Sequence, residues 1–200
     1  MLLASAATLA AQPLPQFSGD TRVTSHKGMT IVGKLYFGSH KFRADGNYAG
    51  RDSIMIIDSD RKIGYRLMPQ QHMYMEMSTE GAAASHKLPD WRLYDPSNPC
   101  STMPGTSCQQ LGTETVNGRL CVKWQITGKT ASSNHIVWVD QEIGFGIKTQ
   151  STDGDVWEIL NIKVGPQDSS LFEIPPGYRK MDFGNMMQMQ GMPGMQRPQQ

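Results

Sequence analysis

The chain has 200 residues, of which 38% are apolar and 18% are charged, and these proportions suit one globular domain with a substantial core. Lysine and arginine total 19 against 18 acidic residues, which gives a formal net charge of +1. Such a balanced charge creates no basic field that would attract phosphates, so nucleic acid is not an expected partner. No segment approaches the roughly 20 apolar residues that span a bilayer, so any contact with an envelope is expected to be peripheral. The sequence leaves the oligomeric state open.

The N-terminus resembles the apolar, small-residue end of a secretory signal. It reads MLLASAATLAA, with cleavage expected after Ala10 or Ala11. The basic region that normally begins such a signal is missing, so a frayed apolar N-terminus is the alternative. We expect a residual signal peptide over residues 1–11, a folded domain over residues 12–180, and a periplasmic or secreted location.

Short segments with alternating apolar and polar residues follow one another in the first part of the chain. The alternation is clearest where Ile31, Leu35 and Phe37 share one predicted strand face. Turn-forming residues such as Asp45-Gly46-Asn47 separate the segments. Strands at intervals of about ten residues predict an antiparallel meander rather than alternating strands and helices. The six segments read FSGDTRVTS, MTIVGKLYF, KFRAD, SIMIID, KIGYRLM and HMYMEM.

Residues 78–109 interrupt this pattern with an alanine-rich piece and several prolines and glycines, so at most one short helix is expected there. Alternation returns on both sides of Asn117-Gly118, a dipeptide that favours a two-residue hairpin turn. The later segments bring the count to about eleven strands: QLGTETV, RLCVKWQIT, HIVWVD, GIKTQST and VWEILNIKV. Residues 181–200 are rich in Met, Gln, Gly and Pro without an apolar period, which predicts a disordered tail.

The three cysteines allow one disulfide and leave one thiol. A two-residue turn at Asn117-Gly118 places Cys121 opposite Glu114 and out of register with Cys108. We therefore predict a disulfide between Cys100 and Cys108, with Cys121 reduced inside a strand. A zinc site is the competing interpretation, but the sequence has neither a CxxC pair nor a nearby pair of histidines to support it.

A succession of these segments resembles the bacterial family known as domain of unknown function 4412, over residues 17–180. The segments are GKLYFGSHKFRAD, IIDSDRKIGYRLMPQQHMYMEM, LGTETVNGRLCVKW, IVWVDQEIGFGIK and SLFEIPPGY. That family is in turn similar to the superfamily of the periplasmic lipoprotein carriers LolA and LolB. The resemblance implies a mainly β fold, an antiparallel half-open barrel of about eleven strands with one or two short helices at most and a concave apolar cavity. It implies the fold more directly than the function, because one fold hosts many activities.

Methionines at alternate positions give one face of HMYMEM an apolar, adaptable surface. Such side chains suit a pocket that accepts variable acyl chains, although ordinary sheet core is the alternative interpretation. SIMIID is apolar on both faces, as in a strand that is covered on both sides. The period alone does not identify the inner face of the sheet. The residues predicted to line the cavity are Ile54, Ile56, Leu67, Met73, Met75 and Trp124.

The sequence predicts no catalytic site. The five histidines are scattered, and GxSxG, HExxH, Walker and dinucleotide-binding motifs are missing. We therefore predict a non-catalytic protein without a cofactor that holds an apolar ligand, namely a lipid or the acyl chains of a lipoprotein. An envelope scaffold is the alternative. A third hypothesis is that thioethers of the tail bind Cu(I) or Ag(I). These belong to Met181, Met186, Met187, Met189, Met192 and Met195.

Overall fold

A computed structural model of the chain describes residues 14–48, 50–80, 94–103, 105–130 and 133–181. These residues form a sheet of twelve strands. The strands are β1 (Phe17–Thr24), β2 (Thr30–Gly38), β3 (Lys41–Tyr48), β4 (Arg51–Asp58), β5 (Ile63–Met68), β6 (Met73–Ser78), β7 (Ser107–Val116), β8 (Arg119–Thr127), β9 (His135–Asp140), β10 (Gly146–Ser151), β11 (Val156–Val164) and β12 (Arg179–Lys180). Short 3-10 turns lie at Pro69–Gln71, Pro99–Thr102 and Ser169–Phe172. Residues 1–11 and the tail beyond Met181 lie outside the described residues.

The sheet has the spatial order β12-β6-β5-β4-β3-β2-β1-β11-β10-β9-β8-β7. Two antiparallel meanders, β1–β6 and β7–β11, are joined by the antiparallel pairing of β1 with β11. Within the described ranges β7 and β12 are the outer strands and do not pair with each other, so the sheet is not closed. The predicted mainly β, half-open barrel is therefore confirmed. None of the helices in the described part of the chain is long and apolar enough to cross a membrane.

The cross-strand register assigns the side chains of β1–β6 to two faces. Paired residues in neighbouring strands share a face, and successive residues alternate between faces. Arg66 pairs with Met55 on one side and with Met75 on the other, so these three side chains share a face. We call it the methionine face, and its methionines are Met55, Met68, Met73, Met75 and Met77. The other side is called the tyrosine face and carries Tyr36, Tyr65 and Tyr74.

Three phenylalanine rings fill one end of the methionine face. Phe17 stacks on Phe37 with ring centroids 5.4 Å apart. Phe145, from the β9–β10 connection, meets Phe17 and Phe37 edge-on at 5.3 and 5.7 Å. All three side chains are buried, and offset or edge-on rings of this kind stabilise a core beyond the area that they bury. The open part of this face therefore lies toward the opposite ends of the strands.

The segment that follows β11 covers the tyrosine face. Phe172 packs against Ile56 and Leu67, and both of these residues have 0% of their surface exposed. A Cβ atom added to Gly38 would lie 2.7 Å from the ring of Phe172, so only a glycine at this point of β2 lets the ring approach. This contact covers one apolar face of SIMIID, and on the other face Ile57 lies in the buried cluster with Phe17 and Phe37.

The last strand, β12, pairs in parallel with the outer edge of β6. The amide of Arg179 donates to the carbonyl of His72 at 2.9 Å, and the amide of Met181 donates to the carbonyl of Tyr74 at 2.8 Å. Lys180 also forms an ion pair with Glu76 at 3.0 Å. The short strand therefore satisfies backbone groups that β6 would otherwise present to solvent.

The cysteine chemistry follows the prediction. Cys100 and Cys108 form a disulfide with their Cα atoms 5.9 Å apart. Cys121 is free and buried, and it pairs with Glu114 across the Asn117-Gly118 hairpin. Burial raises the pKa of the Cys121 thiol to about 12, and the nearby charge of Asp140 adds to this effect. Cys121 is therefore a packing residue and not a nucleophile at neutral pH.

Candidate functional site

The residues predicted to line a cavity fall into three environments. Ile54, Ile56 and Leu67 lie on the tyrosine face. Met73 and Met75 lie half-buried on the methionine face. Trp124 packs on β8 in a separate cluster with Tyr94 and Val137. The six side chains therefore do not surround one space. Met73 and Met75 are the pair that borders the open part of a face.

The register brings two groups of half-buried apolar side chains onto the methionine face, and we call the surface between these two walls the trough. One wall consists of four half-buried methionines of β4–β6, namely Met55, Met68, Met73 and Met75. The fifth, Met77, lies in the row of paired residues that leads to Phe37 at the filled end. The other wall consists of Ile31, Val23 and Trp157, which are half-buried and paired in register across β2, β1 and β11. Because thioether side chains are flexible and polarizable, the first wall can adapt to ligands of different shape.

A row of small residues forms the floor between the two walls. Ser53, Gly46, Gly33 and Thr21 occupy directly paired positions on β4, β3, β2 and β1. A Cβ atom on Gly33 would collide with the carbonyl oxygen of Asp45, so this glycine lets β2 and β3 approach closely. Glycine inside a strand also leaves room for a ligand against the backbone. The floor therefore carries no side chain larger than threonine.

The charged side chains of β1–β6 are sorted between the two faces. The register places every carboxylate of these strands on the tyrosine face: Asp20, Asp45, Asp52, Asp58 and Glu76. The methionine face of the same strands carries two charged residues, Arg51 and Arg66. The Arg66 Nε donates to Ser53 Oγ at 3.3 Å, which holds the guanidinium above the floor of the trough.

A groove of about 680 Å³ crosses the tyrosine face of β1–β4. Its polar side chains pair with one another or with immediate neighbours. The Lys34 Nζ lies 3.9 Å from Asp20 Oδ1. The Arg43 guanidinium donates to both carboxylate oxygens of Asp45 at 2.7 and 3.0 Å. The Asn47 side-chain amide donates to Asp52 Oδ1 at 2.7 Å. Because these partners already satisfy each other, the groove presents little polar capacity that would orient a ligand.

A buried carboxylate, Asp140, stabilises the connection between β9 and β10. Asp140 is 1% exposed, binds the guanidinium of Arg119, and accepts from the amides of Glu142 and Ile143 at 2.9 and 3.0 Å. Hydrogen bonding to Asp140 raises the pKa of Arg119 above its ordinary value. Within the described ranges no group of three or more His, Cys, Asp or Glu side chains is arranged to hold a metal ion.

The family model described as Domain of unknown function (DUF4412) matches residues 17–146. This chain belongs to the DUF4412 family. The matched DUF4412 region runs from the first residue of β1 to the first residue of β10, so it contains the whole methionine face of β1–β6. The family resemblance inferred from the sequence is thereby confirmed. A comparison with curated protein sequences found no match.

Two solved structures with TM-scores above 0.5 share the fold at low sequence identity, and a third matches with a lower score. An uncharacterized conserved protein from Thermus thermophilus has a TM-score of 0.57 at 7% identity, over 84% of this chain and 90% of that chain. MucB in the MucA/MucB complex of Pseudomonas aeruginosa has a TM-score of 0.51 at 14% identity, over 82% of this chain and 57% of that chain. A LolA superfamily protein from Nitrosomonas europaea has a TM-score of 0.36 at 12% identity, over 81% of this chain and 91% of that chain. This chain therefore spans little more than half the length of MucB, and the likeness concerns the fold alone.

Proposed function

We propose that this DUF4412 protein is a non-catalytic carrier or binding protein of the bacterial envelope, periplasmic or secreted, that holds an apolar ligand. The ligand class is a lipid or the acyl chains of a lipoprotein. The observation that carries the proposal is the trough of the methionine face, in which two half-buried apolar walls flank a floor of small residues. Apolar surface that a folded protein leaves partly open commonly marks a binding site.

The envelope location has two supports. The first eleven residues have the composition of a signal sequence end. The disulfide between Cys100 and Cys108 is of a kind that persists in oxidising compartments such as the periplasm. Fractionation of the native host tests the location: recovery of the protein in the cytoplasm with both cysteines reduced would contradict it.

Native mass spectrometry of protein purified from its own envelope tests the ligand. We expect additional mass from bound acyl species, which lipid extraction would release and identify. A second measurement uses N-phenyl-1-naphthylamine, a neutral apolar probe whose fluorescence rises on transfer from water to an apolar site. Wild-type protein should bind this probe, and dodecanol should displace it.

Substitutions then locate the site. Met55→Gln and Met75→Gln place an uncharged polar group of similar size in the methionine wall and should weaken probe binding roughly tenfold, the effect of losing about 1.4 kcal/mol of apolar contact. Met29→Gln is the matched control, because Met29 is 64% exposed just before β2. Equal affinity in all three variants, or a clean apo mass in repeated preparations together with no probe binding, would refute the proposal.

A second candidate function, an envelope interaction protein, is favoured by β7. This strand forms an outer edge of the sheet, and seven consecutive residues from Gln109 to Thr115 are exposed. An open edge can accept a strand from a partner through main-chain hydrogen bonds. Cross-linking in the envelope distinguishes this candidate, since it predicts one stable protein partner attached at β7 and no bound acyl species.

A further inference from the structure

We infer that the ligand of the trough is an anionic amphiphile and that Arg66 receives its acidic head group. This inference rests on the proposed function and specifies the chemistry of the same site. The head group is a carboxylate or a phosphate, as in a fatty acid or a phospholipid. The alkyl chain lies along the methionine wall and the row of small residues.

The first support is the separation of charge between the two faces. Strands β1–β6 place their five carboxylates on the tyrosine face, whereas the charged residues of the methionine face are Arg51 and Arg66. A ligand in the trough therefore meets positive charge without a neighbouring acid on the same face of these strands. Such a site favours an anionic head over a neutral or cationic one.

The second support is the hydrogen bonding of Arg66. Arg22, Arg43 and Arg119 each hold a carboxylate, at distances that include 2.7 Å for Arg22 with Glu158 and 2.7 Å for Arg43 with Asp45. Among the described residues Arg66 has no carboxylate within 4.0 Å, and its Nε donates a hydrogen bond to Ser53 Oγ. The N–H groups on its two Nη atoms are thus available to an incoming anion.

The third support is the setting of Arg66 within the trough. Met55 and Met75 occupy the paired positions on either side of it in β4 and β6. A planar guanidinium binds carboxylates and phosphates through two parallel hydrogen bonds. Arg66 is exposed, so an anion can reach its guanidinium from solvent while the half-buried methionines on both flanks contact the alkyl chain. The head is then fixed at one point while the chain remains free to vary.

The experiment compares three probes with the same alkyl chain and different heads: dodecanol, dodecanoate and dodecyl phosphate. Their affinities for the full chain are measured by displacement of N-phenyl-1-naphthylamine, at pH 8 and below the micellar concentration. We expect at least one anionic probe to bind roughly tenfold to a hundredfold more tightly than dodecanol, as charge-assisted hydrogen bonds do. The tighter of the two anions identifies a carboxylate or a phosphate as the preferred head.

Two variants assign the preference to Arg66. Arg66→Met should bind all three probes with affinities equal within about threefold. Arg66→Lys keeps the charge without the planar fork and should retain part of the preference. The matched control is Arg61→Met, which removes an exposed guanidinium in the β4–β5 connection and should leave the preference unchanged.

The results separate the inference from the proposed function. Binding of all three probes with equal affinity to the wild type would overturn the role of Arg66 and leave an apolar binding site in place. A preference for anions that survives in Arg66→Met would also overturn it, because the charge would then act from elsewhere. Failure of all three probes to bind would remove the proposed function itself.

Discussion

The contact between Phe172 and Gly38 supports a double-mutant test of how the C-terminal segment lies on the tyrosine face. Phe172 is 7% exposed, so Phe172→Ala should lower the free energy of unfolding by about 3 kcal/mol, the lower end for a buried aromatic ring. The three atoms nearest to a Cβ on Gly38 all belong to that ring, at 2.7, 2.8 and 3.5 Å. Gly38→Ala alone should therefore cost about 1–3 kcal/mol through overpacking.

The same alanine should cost nothing once the ring is gone. No other atom approaches the added Cβ within 3.5 Å, and alanine is favoured over glycine inside a strand by roughly 0.5–1 kcal/mol. The double variant should thus be as stable as Phe172→Ala or slightly more stable, which gives a coupling energy of at least about 1 kcal/mol. Urea unfolding followed by tryptophan fluorescence, with an unchanged m value, measures it. Purely additive costs would show that Phe172 does not cover β2.

Three further predictions concern the other meander. Asp140→Asn should lower the free energy of unfolding by about 2–3 kcal/mol, which is less than for a fully buried ion pair because Arg119 is 18% exposed. The control is Glu142→Gln, which changes the other, 69% exposed partner of Arg119 and should cost under about 1 kcal/mol. Equal losses of stability in the two variants would contradict this account. Replacing both Cys100 and Cys108 by serine should lower the free energy of unfolding by about 2.5 kcal/mol, which is the loop-closure entropy for a separation of 8 residues. Urea unfolding measures this loss, and an unchanged urea midpoint would argue against a structural role of the disulfide. The Cys121 thiol, with its pKa raised to about 12 by burial, should resist iodoacetamide at pH 8 and react in urea; rapid alkylation of the native protein would refute its burial.

Local turn chemistry made much of the strand register predictable. The Asn117-Gly118 turn fixes which residues of β7 and β8 face each other, and it places Cys121 opposite Glu114. The start of β7 at Ser107 is harder to predict, because a bulge near Gly112, whose φ is +125°, shifts the alternation. The strand β12 has two exposed residues and no period of its own, so only its pairing with β6 reveals it.

The candidate site was less predictable because it depends on contacts between distant parts of the chain. Alternation puts Ile56 and Met55 on opposite faces, but it does not show that Phe172, more than a hundred residues later, covers Ile56. Gly33 and Gly46 become neighbours through the register of β2 with β3. Gly33 inside a predicted strand was an available signal, since glycine there often marks a close approach to the backbone. The predicted turn at Asp45-Gly46-Asn47 was wrong, because β3 continues through these residues to Tyr48. The separation of the carboxylates from Arg66 onto opposite faces likewise depends on which strands pair.

The pairing of β12 with β6 has a consequence for any form of the protein that is shortened at its C-terminus. Proteolysis before Arg179 would remove two main-chain hydrogen bonds from β6 and the ion pair to Glu76 together. The exposed strand, MYMEMS, combines three methionines with high β propensity and a single charge, which is the profile of a segment that recruits identical strands into fibrils. The two residues of β12 thus act as a gatekeeper, and a recombinant chain trimmed just upstream of them should precipitate where the longer chain stays in solution.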